Sequence, residues 1–99
     1  MEEMEKLRKA LDEAGIEWTD HSALEPISNK ALTRTRFFVD GKLWSVVHGR
    51  GTYGGIDWND KDHGLLEAWQ IGGEGSKEEE PEGWLTAEQV LQKVGLKNE

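Results

Sequence analysis

Arg34, Arg36 and Arg50 stand close to an unusual run, His48-Gly49-Arg50-Gly51-Thr52-Tyr53-Gly54-Gly55, which follows directly on an apolar, strand-like segment. From Ser28 to Ile56 the chain carries Lys30, Arg34, Arg36, Lys42 and Arg50 against Asp40 alone. That is a local excess of four positive charges in a protein whose formal net charge is −8. A glycine turn can bring several backbone N–H groups to one anion, and a guanidinium forks onto phosphate or carboxylate. The chemistry suggested is capture of a small nucleotide-like anion. The amides of Gly49, Gly51 and Gly54 would cradle it, Arg50, Arg34 and Arg36 would clamp it, and His48 would stand beside it. Tyr53 would stack on a base, with Trp44 or Trp58 as an indole wall.

Each of these features also has a plainer reading. The glycines suit a bulged strand end or a tight turn that needs positive φ. Gly49-x-Gly51-x-x-Gly54 spells a dinucleotide fingerprint, but no helix is expected at Gly54, and no Gly-Lys-Ser/Thr phosphate loop occurs. Arg34 and Arg36, two residues apart on one strand face, could be answered by Glu67 or by the acidic stretch further on.

Catalysis finds less support. Ser45 and His48 share a strand but point to opposite faces, so they do not form a nucleophile–base pair. Asp57-Trp58-Asn59-Asp60-Lys61-Asp62 begins like a calcium loop. Lys61, Asp62 and Ala68 then occupy positions where a ligand, a glycine and a bidentate Glu are needed. His21 and His63 sit in polar stretches without metal-ligand spacing. The expectation is a non-enzymatic protein with no catalytic residue, no metal and no cofactor.

The elements that would position these groups begin with a helix over 2–14. Met4, Leu7, Leu11 and Ala14 recur at spacings of three and four, acids crowd its first turn, and Gly15 follows its end. Ile16-Glu17-Trp18 reads as a short strand and 20–32 as loop. Thr33 to His48 reads as a β-hairpin about Asp40-Gly41, the dipeptide of a type I′ turn. Its register pairs Val39 with Lys42 and runs to Thr33 with His48. Val39, Phe37, Trp44 and Val46 then share one face, and Arg34, Arg36, Phe38, Leu43, Ser45 and Val47 the other. Leu65 to Ile71 reads as a further strand, and 72–83 as an acidic flexible loop. Thr86 and Gln89 form a capping box for a last helix, with Ala87, Val90, Leu91 and Val94 as its apolar stripe and Gly95 as its stop. The expected fold is a single α+β domain over 1–99: a small antiparallel sheet built on the hairpin, with N- and C-terminal helices packed on one face.

Composition agrees with a folded domain. The 99 residues are 35 % hydrophobic and include five tryptophans, whose large buried surfaces help a thin supply of aliphatics. The absence of cysteine excludes disulfides and thiol chemistry, and it is compatible with a cytoplasmic setting. Neither a secretory h-region nor a membrane-length apolar run is present, so no membrane association is expected. The acidic balance argues against direct nucleic-acid binding. A short sheet with an open edge makes a homo-oligomer the default.

Several segments carry a resemblance: Glu13-Ala14-Gly15-Ile16, Gly49 to Gly54, Gly64-Leu65-Leu66-Glu67, and Gly83-Trp84-Leu85-Thr86-Ala87-Glu88-Gln89-Val90. Together their layout resembles that of small accessory proteins of phages and prophages of Gram-positive and gut bacteria. The resemblance implies a role against host defence, such as a sponge that sequesters a nucleotide immune signal. Two other functions fit the residues. An acidic surface over Glu74 to Glu82 with Asp57, Asp60 and Asp62 could occupy the basic nucleic-acid groove of a host enzyme. A hydrolase of a nucleotide signal is the third.

Overall fold

The computed structural model of the protein describes residues 2–24, 31–73 and 80–97. Helix α1 (Glu3–Glu13) buries Met4, Leu7 and Leu11 of the expected stripe, while Ala14, its fourth member, is the C-cap and is exposed. It stops where expected. Gly15 takes φ +73°, its N–H bonds the Asp12 carbonyl at 3.1 Å, and the Ile16 N–H reaches Leu11 at 2.9 Å. This double bond is a Schellman stop. Ile16 therefore belongs to the helix end, and the strand expected over 16–18 begins later, as β1 (Trp18–Asp20).

The stretch 20–32, expected as loop, contributes strand at its ends. β2 (Ala23–Leu24) pairs with the start of β3 (Ala31–Val39), and residues 25–30 lie outside the described ones. β1 and β2 make one interrupted edge along β3. The break is bridged by the His21 N–H to the Arg34 carbonyl (2.9 Å) and by the Arg34 N–H to the Ser22 hydroxyl (3.1 Å).

β3 and β4 (Lys42–His48) pair in the expected register, from Val39 opposite Lys42 to Thr33 opposite His48. Asp40 and Gly41 hold φ of +51° and +80°, as a type I′ turn requires. β5 (Leu66–Gly73) joins β4, with a register shift between Leu43 and Trp44. β6 (Glu82–Leu85) joins β5. The segment 72–83 thus gives its ends to strands rather than being loop throughout; residues 74–79 lie outside the described ones. The sheet order is β1-β3-β4-β5-β6, antiparallel at every pairing.

Helix α2 (Ala87–Lys93) carries the expected capping box of Thr86 and Gln89. Gly95, at φ +88°, ends it with the same stop as α1: Leu96 N–H to the Leu91 carbonyl, 2.9 Å. Leu7 and Leu11 of α1 and Val90 of α2 meet Phe37, Val46 and Leu66 of the sheet in one core. Complete burial of such a side chain contributes about 1.5–3 kcal/mol. The α+β architecture with both helices on one sheet face is as expected. Neither helix covers the opposite face, where Phe38 and Trp69 remain exposed. Among the described residues, no helix is long and apolar enough to cross a membrane.

Candidate functional site

Strand alternation and register place six side chains in two rows across the uncovered face. Arg36, Ser45 and Trp69 lie opposite one another on β3, β4 and β5, and Arg34, Val47 and Glu67 form the adjacent row. Serine between an arginine and an indole leaves the floor low, and the result is a groove of about 370 Å³. Arg50, Gly51 and Thr52 wall one end of it. That size is in the range of small-ligand sites.

The charges in the groove are arranged unevenly. The Nε atoms of Arg34 and Arg36 are enclosed and have no hydrogen-bond partner among the described residues. Among the described residues, no carboxylate makes an ion pair with either guanidinium. Glu67 shares the groove with them but makes no ion pair with either; its Oε1 accepts the Tyr53 N–H at 2.7 Å. A wider hollow of about 650 Å³ crosses β1, but Asp12 and Glu17 line it against Arg36, so its field favours an anion less.

The glycine loop is a rigid wall and not an open cradle. The Gly49 N–H donates to the Thr52 hydroxyl (3.1 Å), which in turn donates to the Gly49 carbonyl (2.8 Å). Gly51 N–H bonds the Ile56 carbonyl, Gly55 N–H the Thr52 carbonyl and Ile56 N–H the Gly49 carbonyl. With these donors spent, the loop has few amides left for a ligand, which corrects the expected nest. Its glycines answer packing needs. A Cβ on Gly54 would lie 2.8 Å from the Trp84 backbone nitrogen, and one on Gly55 would strike Thr52 Oγ1 and the Gly49 carbonyl.

Other expected site residues fall elsewhere. Trp44 is 4 % exposed, packed in the core with Lys93 Nζ 5.7 Å from its ring centroid, so it offers no wall to the groove. His48 faces the helix side: Nδ1 meets the Leu65 carbonyl at 2.9 Å and Nε2 meets Asp62 at 3.2 Å. Arg50 reaches the groove but already pairs with Asp60 (3.1 Å) and lies 5.5 Å from the Trp58 ring centroid. Trp58 and Tyr53 are both exposed, and neither lines the groove. The predicted set is thereby split: Arg34, Arg36, Arg50 and Gly51 come together, while His48 and Trp44 lie across the sheet. Sequence reasoning missed Trp69 as the indole wall; it brought Glu67 to the arginines as a possible ion-pair partner, and the structure places Glu67 in the same groove without that pairing. Their alternation on one strand was visible, but their face depended on the β4–β5 register.

Beyond the loop, Asp57 accepts His63 Nε2 at 3.0 Å and the backbone N–H groups of Asn59 and Lys61. The His63 hydrogen bond, followed by these amides, holds the Asp57 carboxyl below its ordinary range. Among the described residues, no group of three or more acidic or histidine side chains could hold a metal ion. No protein family, no curated protein and no solved structure matches this chain in comparison.

Proposed function

We propose that the uncovered sheet face is the working surface of a non-enzymatic protein that captures and holds a nucleotide-like anion. The observation that carries this reading is the pair Arg34 and Arg36. Their Nε atoms lie enclosed without acceptors among the described residues, one strand away from the low floor at Ser45 and two from the indole of Trp69. An anion is the natural acceptor for two adjacent guanidiniums, and an exposed indole face accepts a base by stacking. Holding rather than turnover is favoured because neither His48 nor His63 lines the groove, and the Thr52 hydroxyl is tied to Gly49. Capture without turnover suits the sponge-type role that the phage resemblance implies. For the acidic-surface alternative, Asp57, Asp60 and Asp62 are engaged by His63, Arg50 and His48 respectively, and residues 74–79 of its main stretch lie outside the described ones.

The test is calorimetry and thermal unfolding with nucleotides, cyclic dinucleotides and ADP-ribose derivatives, with mass spectrometry of the recovered ligand. At 100 times its dissociation constant a ligand adds about 2.7 kcal/mol of stability. Recovery of the ligand unchanged, with binding lost in the Arg34→Ala/Arg36→Ala variant, is the expected result. Full affinity in that variant would end the proposal.

A further inference from the structure

The geometry points to Glu67 as the residue that reads the base, and we infer that the ligand is a guanine nucleotide; this rests on the nucleotide reading of the groove. The groove has two chemically different ends. Arg34 and Arg36 on β3 form a cationic end, and Glu67 and Trp69 on β5 form an end with a carboxylate beside an indole. Two strand spacings separate them, roughly 10 Å, which is close to the span from the base to the 5′-phosphate of a nucleotide. A phosphate is repelled by Glu67 and attracted by Arg34 and Arg36, and Arg50, the third groove arginine, is already paired with Asp60 at 3.1 Å, so the field favours a phosphate at the β3 end. The base of the ligand then lies at the β5 end.

Glu67 and Trp69 are two residues apart on the same face of one strand, roughly 7 Å between their Cα atoms. A ring stacked on Trp69 can therefore turn an edge toward the Glu67 carboxylate. The Tyr53 N–H holds Glu67 Oε1 at 2.7 Å and so fixes the orientation of the carboxylate. Among the described residues nothing else donates to it, so Oε2 and the second lone pair of Oε1 still have acceptor capacity. An ionised carboxylate only accepts, and a base that matches it must offer adjacent donors. Guanine does so, with N1–H beside its 2-amino group. Adenine offers one amino donor beside an acceptor nitrogen, uracil one N–H between two carbonyls, and cytosine one amino group beside an acceptor. A paired contact of this kind discriminates between bases by about ten-fold or more.

The experiment compares GMP, IMP, AMP, CMP and UMP by calorimetry on the wild-type chain and on Glu67→Gln. GMP should bind at least about ten-fold tighter than AMP, CMP or UMP, with IMP, which lacks the 2-amino group, in between. Glu67→Gln can still accept the Tyr53 N–H, and an unchanged thermal midpoint would show that it folds. In this variant the guanine preference should vanish while arginine-dependent binding of all five persists. Equal affinity for the five, or a full guanine preference retained in Glu67→Gln, overturns the inference and leaves the nucleotide reading intact. No binding of any nucleotide overturns both.

Discussion

The carboxylate of Glu3, in the first turn of α1, accepts the backbone N–H of Ala87, the first residue of α2, at 2.8 Å. One helix thus caps the other across almost the whole length of the chain. The Lys6 hydrogen bond, then the Ala87 N–H, hold the Glu3 carboxyl below its ordinary range despite partial burial. Glu3→Ala should cost about 0.5–2 kcal/mol at neutral pH, the range for loss of a helix cap. Because the folded pKa is the lower one, this contribution is complete above the ordinary Glu value of about 4.3 and is lost as pH falls through the folded value. Urea unfolding of the two proteins at several pH values should show their difference shrinking in acid.

Arg8 ties the same helix to the sheet. Its Nε donates to Thr35 Oγ1 at 2.7 Å, and that fully buried hydroxyl donates in turn to Met4 Sδ at 3.2 Å. Thr35→Val keeps the volume but strips the guanidinium of an acceptor. A loss of about 1–3 kcal/mol is expected in equilibrium unfolding.

Two glycine substitutions separate backbone conformation from crowding. Gly64 has φ +70° but open space where a Cβ would stand, so Gly64→Ala should cost only about 1 kcal/mol. Gly55→Ala would drive its Cβ into Thr52 and the Gly49 carbonyl and break the knot behind Arg50. A loss above about 2 kcal/mol is expected in thermal unfolding, with faster amide exchange at Gly51 and Ile56.

Ser45→Leu should raise the floor between Arg36 and Trp69 and abolish nucleotide binding without lowering the unfolding midpoint. The added side chain enters the groove and leaves the core on the other face untouched. Calorimetry alongside a melting curve checks both halves of the statement.

The Asp57 carboxyl should titrate below an ordinary aspartate in a carbon-detected NMR titration, and His63→Ala should move it upward. Any order this carboxylate gives to the Asn59 and Lys61 amides is complete above the ordinary aspartate range. It fades as pH falls through the lower folded value.

Elements with local chemistry were legible from the sequence. Asp40-Gly41 set the hairpin register, Thr86 with Gln89 set the start of α2, and Gly15 and Gly95 set the helix ends. β6 was hidden because its pairing is long-range and Trp84 sits at φ +61°, where no propensity would place a tryptophan. In the groove, Arg34 and Arg36 followed from the hairpin alone. Trp69 and Glu67 required the partner of β4 and a bulge at Leu43/Trp44 that shifts every later pairing by one. The glycine run misled for a related reason: composition shows how many amides a turn has, and only the fold shows which are already spoken for.

Alternation along β3 and β5 has a consequence for how this chain can change. Thr35, Phe37, Leu66 and Ala68 hold the domain together, while Arg34, Arg36, Glu67 and Trp69 point the other way. Neighbouring codons therefore answer to different demands. Drift or selection can rewrite what the open face recognises one position at a time, and the same backbone can serve as a template for libraries that diversify those positions alone.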